Sequence, residues 1–489
     1  MRSTSALSAE VGSTHNPSGT YPERLPTIRQ GAWLISGLDI VCALAVALYP
    51  VILVWALKVG VSPYFSYMGF GFVPEAGPVL QVLVWFLAVL PGFLLPISAR
   101  RPSTIALWVL YLLAYVPAQV VPTFASGRTS DYLGFQFTLF SGFLLMQLLT
   151  AIQPISIKRW WLNEKYLFIG LCGFTLVTYA FVLAYFGLPT SIPGLFDVYA
   201  VRSSFDQQAE GAGIVLYLIS WQSKVVNPFL MVYGVARKSW LSFSAGTGLQ
   251  LVLYALAGHK SVLLSIALVM AVLVLYSVRG KLFGVMLSGG ACLLVVIGTL
   301  HVMFTDNLIL MTLFVRRTIL MPGLLTGYYQ EYFSLHGLTR QLDPVTRMIF
   351  STPYQEGVPY IIGRIYFNSP ETRANANMWA DAFSSFGLGG VLFVSVFLGL
   401  ILLVIDFLSV DRDTWVSAVL VGIAAYSLVN SGLATSLSTH GILFMMLLLF
   451  FSPLVRSRKR VLGSEGTGRQ LIRFRFADGQ RRRGIPEGS

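Results

Sequence analysis

The sequence predicts an all-α polytopic membrane protein of about 12 transmembrane helices with one large structured loop. Three observations carry this. The chain is 55% hydrophobic and 11% charged, whereas a soluble domain carries roughly 25% charged residues. Its apolar runs reach about 17–25 residues, the length that crosses a bilayer, and lack the alternating polar face of a barrel strand. Basic residues gather in alternate short connections, as they do in loops that stay in the cytosol.

Residues 1–31 are rich in Ser, Thr, Gly and Pro and carry Arg2, Arg24 and Arg29. They lack the short apolar core and small-residue cleavage site of a secretory leader, so a cytosolic tail is expected. The apolar runs place spans at 33–57, 79–97, 105–121, 132–152, 166–188, 213–236, 240–257, 262–278 and 282–303, and then at 386–405, 415–428 and 437–454. Arg100 and Arg101, Lys158 with Arg159 and Lys165, Arg237 with Lys238, Arg279 with Lys281, and the run from Arg456 to Arg460 all fall on one side of this layout. That puts both termini in the cytosol and the stretch 304–385 outside it. Residues 456–489 form a basic tail whose simplest role is to anchor that orientation. The net charge of +13 therefore belongs to topology, and no nucleic-acid-binding fold accompanies it.

Between Phe304 and Ser385 the chain holds six arginines and six acids, interleaved with aromatics and prolines. Disordered linkers pair few aromatics with high net charge, so this stretch is expected to fold. Cys42, Cys172 and Cys292 lie far apart inside apolar runs and suit buried small side chains. No metal motif, phosphate-binding loop, dinucleotide fingerprint or nucleophile elbow stands in a supporting context.

Ionisable and polar groups on the outer face are what remain for chemistry. Arg202 and Arg316 each open an Arg-x10-Gly spacing, ending at Gly213 and Gly327. Arg316 and Arg317 are adjacent, and guanidinium groups bind phosphate oxygens through paired hydrogen bonds. Lys260, in Gly258-His-Lys-Ser261, is expected at the outer membrane boundary, where it serves either a ligand or the lipid headgroups. Lys224 lies within a span and raises the same question. Tyr328, Tyr329, Arg364, Asn375, Asn377 and Trp379 are residue types that grip and stack on sugars. His336 and Asp381 are the candidate bases, with Asp343 and Glu331 behind them. For Asp381 a helix-capping role is an equal alternative.

These stretches, with Tyr360-Ile-Ile-Gly363 and Asn375 to Gly390, resemble the bacterial O-antigen and oligosaccharide repeat-unit polymerases of the Wzy type, which are related to the O-antigen ligases. Arg202 and Arg316 match that family's paired Arg-x10-Gly positions. The resemblance implies a glycosyltransferase of the membrane-embedded C type, in the cytoplasmic membrane of a bacterium, using no metal or other cofactor. Its donor would be a glycan on polyprenyl pyrophosphate and its acceptor a second lipid-linked repeat unit, with a chain-length regulator and a flippase as partners. Arg202, Lys260, Arg316 and Arg317 would hold the pyrophosphate. A ligase with the same donor is one alternative. A polysaccharide or lipid transporter is the other, and it would place polar groups at mid-membrane on broken helices.

Overall fold

The computed structural model describes residues 37–73, 76–125, 130–155, 162–189, 192–194, 201, 204–205, 207–209, 211–279, 282–341, 351–410 and 414–452. The side chains of 130, 260–261, 276–279 and 414–415 are outside that description, as are the two expected tails and Arg202. In chain order the helices are α1 (Gly37–Trp55, prolonged to Met68), α2 (Pro78–Phe93), α3 (Pro102–Ala125), α4 (Ser130–Ala151) and α5 (Glu164–Phe186). Then come α6 (213–237), α7 (Trp240–Ala257), α8 (Lys260–Arg279), α9 (Phe283–Thr305) and α10 (311–336). The last five are α11 (Val358–Phe367), α12 (Met378–Ser409), α13 (Thr414–Val429), α14 (Leu433–Ser438) and α15 (Ile442–Phe451).

Among the described residues, eight helical runs are long and apolar enough to cross a bilayer, and shorter apolar helices lie at Pro78–Phe93, Val262–Leu275 and Val416–Val429. Large apolar side chains stand exposed along them, such as Leu44, Leu48 and Val51 on α1 and Leu176 and Phe181 on α5. Water would not tolerate so much contiguous apolar surface. The chain is an all-α, multi-pass membrane protein embedded in lipid.

Prolines shape the helices. A proline inside a helix cannot donate to the carbonyl four residues back, and its ring crowds that carbonyl. In lipid the orphaned carbonyl needs another donor. Pro91 frees Leu87, and the Tyr115 hydroxyl donates to the Leu87 carbonyl at 2.6 Å. Pro122 frees Ala118, and Tyr132 donates to it at 2.8 Å. At four other prolines the helix itself widens. The π-helical segments Ala56–Val61, Tyr111–Tyr115, Gln222–Val226 and Met311–Leu320 each end two residues before a proline: Pro63, Pro117, Pro228 and Pro322. In each case the residue just before the proline donates its N–H five residues back, from Ser62 to Leu57, Val116 to Tyr111, Asn227 to Gln222 and Met321 to Arg316. Three of these widened turns carry cations: Lys58, Lys224, and Arg316 with Arg317.

The stretch expected as one large loop opens on α10, which packs along α3 and α12. Leu320, Leu324, Leu325, Tyr329 and Phe333 are buried there. Gly323 and Gly327 lie four residues apart on one face, so the α10 backbone rests directly on Pro117 and Pro122 of α3. A Cβ at Gly323 would run into the Pro117 carbonyl, and one at Gly327 would sit 2.9 Å from Pro122. α12 is two helices. At Phe386 (φ −137°, ψ 20°) and Gly387 (φ 60°, ψ −146°) the chain reverses, so 378–385 lies back along the start of the long helix. The Trp379 indole reaches Ser395 at 2.9 Å, and Gly390 lies against Ala382. Helix ends are satisfied by distant side chains. Asp406 accepts from the Ser103 N–H and hydroxyl at 2.9 and 2.6 Å, and Arg101 donates to the Thr150 and Ile152 carbonyls at the end of α4.

Replacing Gly323 with leucine is expected to cost well over 1–3 kcal/mol by overpacking, because backbone rather than a flexible side chain blocks the new atoms. The detergent-purified variant should lose its monodisperse elution peak. Gly290→Leu, at a position with nothing within 4 Å, should keep it.

Candidate functional site

A cavity of about 200 Å³ opens where the fold-back of α12, the loop after α10 and the break between α13 and α14 meet. Its walls are built by local rules. Asn377 caps the first turn of α12, its side-chain oxygen accepting from the Trp379 and Ala380 N–H groups at 3.0 and 3.1 Å. The Asn377 amide then donates to Thr326 (2.7 Å) and the Pro322 carbonyl (3.2 Å) on α10. One turn later Asp381 lines the cavity, its carboxylate pressed against the Cα of Gly432. Any larger residue at 432 would displace that carboxylate. The loop after α10 is held by Thr339 and Arg340 N–H groups donating to Ser384 and Ser385 carbonyls at 2.8 and 3.0 Å.

The lining is acidic and hydroxylic. Asp381, Glu356, Asn375, Ser431, Thr435 and Thr339 face it, and no lysine or arginine does so among the described residues. Glu356 is held by Arg364 at 3.0 Å, with both side chains about half exposed (51% and 52%). Such a pair contributes under about 1 kcal/mol and acts as a positioned acceptor more than as a brace. Tyr354 donates to the His336 and Gly337 carbonyls at 3.0 and 2.7 Å. Burial, and then the nearby Tyr332, push its phenol above the ordinary value, so it stays a donor. Tyr329 donates to the Ala374 carbonyl at 2.9 Å. Burial, and then the Asp381 carboxylate, hold its phenol well above the usual range.

The expected site residues separate into two groups. Asp381, Asn375 and Tyr329 line the cavity, and Arg364 braces its rim through Glu356. Asn377 and Trp379 are fully buried scaffold, Trp379 lying among Tyr115, Phe143 and Ser395. Tyr328 is buried too, its ring stacked on Tyr366 at 4.0 Å and its hydroxyl lodged against Gly69. His336 is exposed, away from the cavity lining. Its ring stacks on Tyr332 at 4.2 Å, and its Nδ1 lies 2.9 Å from the Tyr332 carbonyl, so that nitrogen carries the proton. Glu331 is half-buried on α10.

Of the expected phosphate-binding cations, Arg202 lies outside the described residues, as do the Lys260 side chain and the reserve base Asp343. Arg316 sits over the Phe65 ring at 4.3 Å with its Nη1 at 3.4 Å from the Met68 sulfur, and it does not line the cavity. Arg317 is exposed on the other side of the widened turn, within electrostatic reach of Tyr426 on α13. Sequence reasoning missed Glu356, Thr339 and the 431–435 wall. It also missed Lys58, which lies over Phe72 at 5.6 Å. A usable signal existed: Lys58, Lys224 and Arg317 each stand four or five residues before a proline within an apolar run.

Searches against protein families, curated proteins and solved structures return no match to this chain. The functional reading therefore rests on the cavity and its neighbours.

Asn375 and Asn377 test the separation of lining from scaffold. Asn377→Ala removes a cap and strips buried partners, which should cost about 2–4 kcal/mol. Asn375→Ala, at an exposed position, should cost under about 0.5 kcal/mol. Thermal unfolding followed by tryptophan fluorescence in detergent distinguishes the two.

Proposed function

We propose that this protein is a glycosyltransferase of the membrane-embedded C type that polymerises lipid-linked repeat units on the extracytoplasmic face of a bacterial cytoplasmic membrane. The observation that carries the reading is the cavity: a hollow of about 200 Å³ lined by carboxylate, amide and hydroxyl groups, in a chain of long apolar helices. Drug-sized pockets span roughly 300–1,000 Å³, so this one suits a single sugar ring. Its polar groups match the alternating donors and acceptors of a sugar.

In this reading the chain crosses the membrane about twelve times, with both termini in the cytosol. The basic short connections support that orientation. Asp381 accepts the proton of the acceptor hydroxyl as its oxygen bonds to the anomeric carbon of the donor glycan. The bond from that carbon to the polyprenyl pyrophosphate breaks, and the departing anion leaves with both electrons. Arg202, Lys260, Arg316 and Arg317 form the proposed set that meets its charge, and of these Arg317 is exposed. Glu356, Asn375 and Thr435 hold sugar hydroxyls, and Tyr329 keeps the Asp381 wall in place.

The test uses purified protein in liposomes with a synthetic polyprenyl-pyrophosphate repeat unit. The native chain should convert it to a ladder of longer lipid-linked glycans. Asp381→Asn should slow the ladder by about 10²–10⁴-fold while leaving thermal stability within about 1 kcal/mol. A ladder formed at the native rate by Asp381→Asn would end the assignment of the base. Repeat units left unextended by the native protein would end the proposal.

A further inference from the structure

A second polar site lies away from the cavity lining, within the bundle. Lys224, on the widened turn Gln222–Val226 of α6, touches the Nδ1 of His440 at 2.5 Å, across 216 positions of sequence. His440 occupies the break between α14 and α15, beside Gly441 at φ 80°. One helical turn before Lys224, Trp221 donates to the Ser438 carbonyl at 2.8 Å and stacks on Phe444 at 5.4 Å. α6 thus grips both sides of the break. The His440 backbone N–H donates back to the Thr435 carbonyl at 3.1 Å, and Thr435 and Gly432 form one wall of the cavity.

The charges around this contact are sparse. α5 brings Cys172 and Tyr179, whose hydroxyl donates to Leu249; α7 brings Tyr254, bonded to Pro193; α13 brings Tyr426. α8 carries Lys260, Tyr276 and Arg279, whose side chains are outside the described residues. α12 carries Asp406, bonded to Ser103, and Asp381, at the cavity. Among the described residues no carboxylate is paired with Lys224 or His440. Ionisable groups within an apolar bundle mark sites of function more often than of stability.

We propose that Lys224 and His440 together form a proton-binding site that latches the cavity wall. With one proton on the pair, the ammonium donates to the lone pair on Nδ1 and the latch is closed. A second proton, taken up at Nδ1, removes that lone pair and places two cations in contact with nothing to offset them. The contact then parts, and α14 is released with the Gly432–Thr435 wall. The second proton enters against the charge of the neighbouring ammonium, so the latch opens on the acid side. This inference does not depend on glycosyl transfer.

The test is a nitroxide on Ala434→Cys of α14, in full-length protein with Cys42, Cys172 and Cys292 replaced by alanine, reconstituted in phosphatidylcholine–phosphatidylglycerol vesicles. Paramagnetic resonance line shapes are recorded from pH 8 to pH 4. The mobile fraction should rise about two-fold or more in one step as pH falls. His440→Gln keeps an acceptor for Lys224 at every pH and should stay immobilised with no step. Lys224→Met removes the partner and should be mobile throughout. A flat profile in the parent protein overturns the proposal, as does a step that survives in either variant. If Lys224→Met does not accumulate, His440→Gln decides alone.

Discussion

Every proline inside an apolar helix leaves a carbonyl that lipid cannot satisfy, and much of this molecule is an answer to that constraint. Two answers are used. Tyrosines on neighbouring helices donate to the freed carbonyls of Leu87 and Ala118, which binds α2 to α3 and α3 to α4. Elsewhere the helix relaxes into a wider turn just ahead of the proline. The two answers meet at Tyr111–Tyr115, a widened turn whose Tyr115 hydroxyl reaches Leu87 and whose ring packs near Trp379. The other three widened turns are where lysine and arginine appear inside otherwise apolar runs. Scaffold and candidate chemistry thus have a common origin in the placement of proline.

The cavity depends on the scaffold through very few residues. Asn377 joins α10 to the fold-back of α12, and one turn further on the same short helix presents Asp381. Gly387 permits the reversal, and Gly432 permits the carboxylate to lie against the opposite wall. Polar residues that look alike in sequence therefore have different tasks. Asn375 faces the hollow, and Asn377, two positions on, is sealed away from it.

The apolar runs made the all-α membrane class legible, because run length against bilayer thickness is a strong physical filter. Most expected spans coincide with helices, and the expected start of a span at Phe386 falls on the reversal itself. The 304–385 stretch was less legible. α10 carries tyrosines, glycines and a glutamate, so its hydropathy looks like that of a loop, yet glycine and proline let its backbone press onto α3. Asp381 and Asn375, singled out by residue type, line the cavity, and Trp379 and Tyr328, singled out in the same way, are buried, because aromatic side chains serve a sugar and a packed core equally well. The contact between Lys224 and His440 joins positions 216 residues apart, and no local pattern encodes it.

The order in which the chain leaves the ribosome adds one more consequence. The fold-back at 378–385 is wedged against α3 and α4, made earlier, yet Asp381 finds its opposing wall only at Gly432, made later. The hollow is therefore complete only once the 431–435 segment is in place, and a chain ending after α12 would lack that wall.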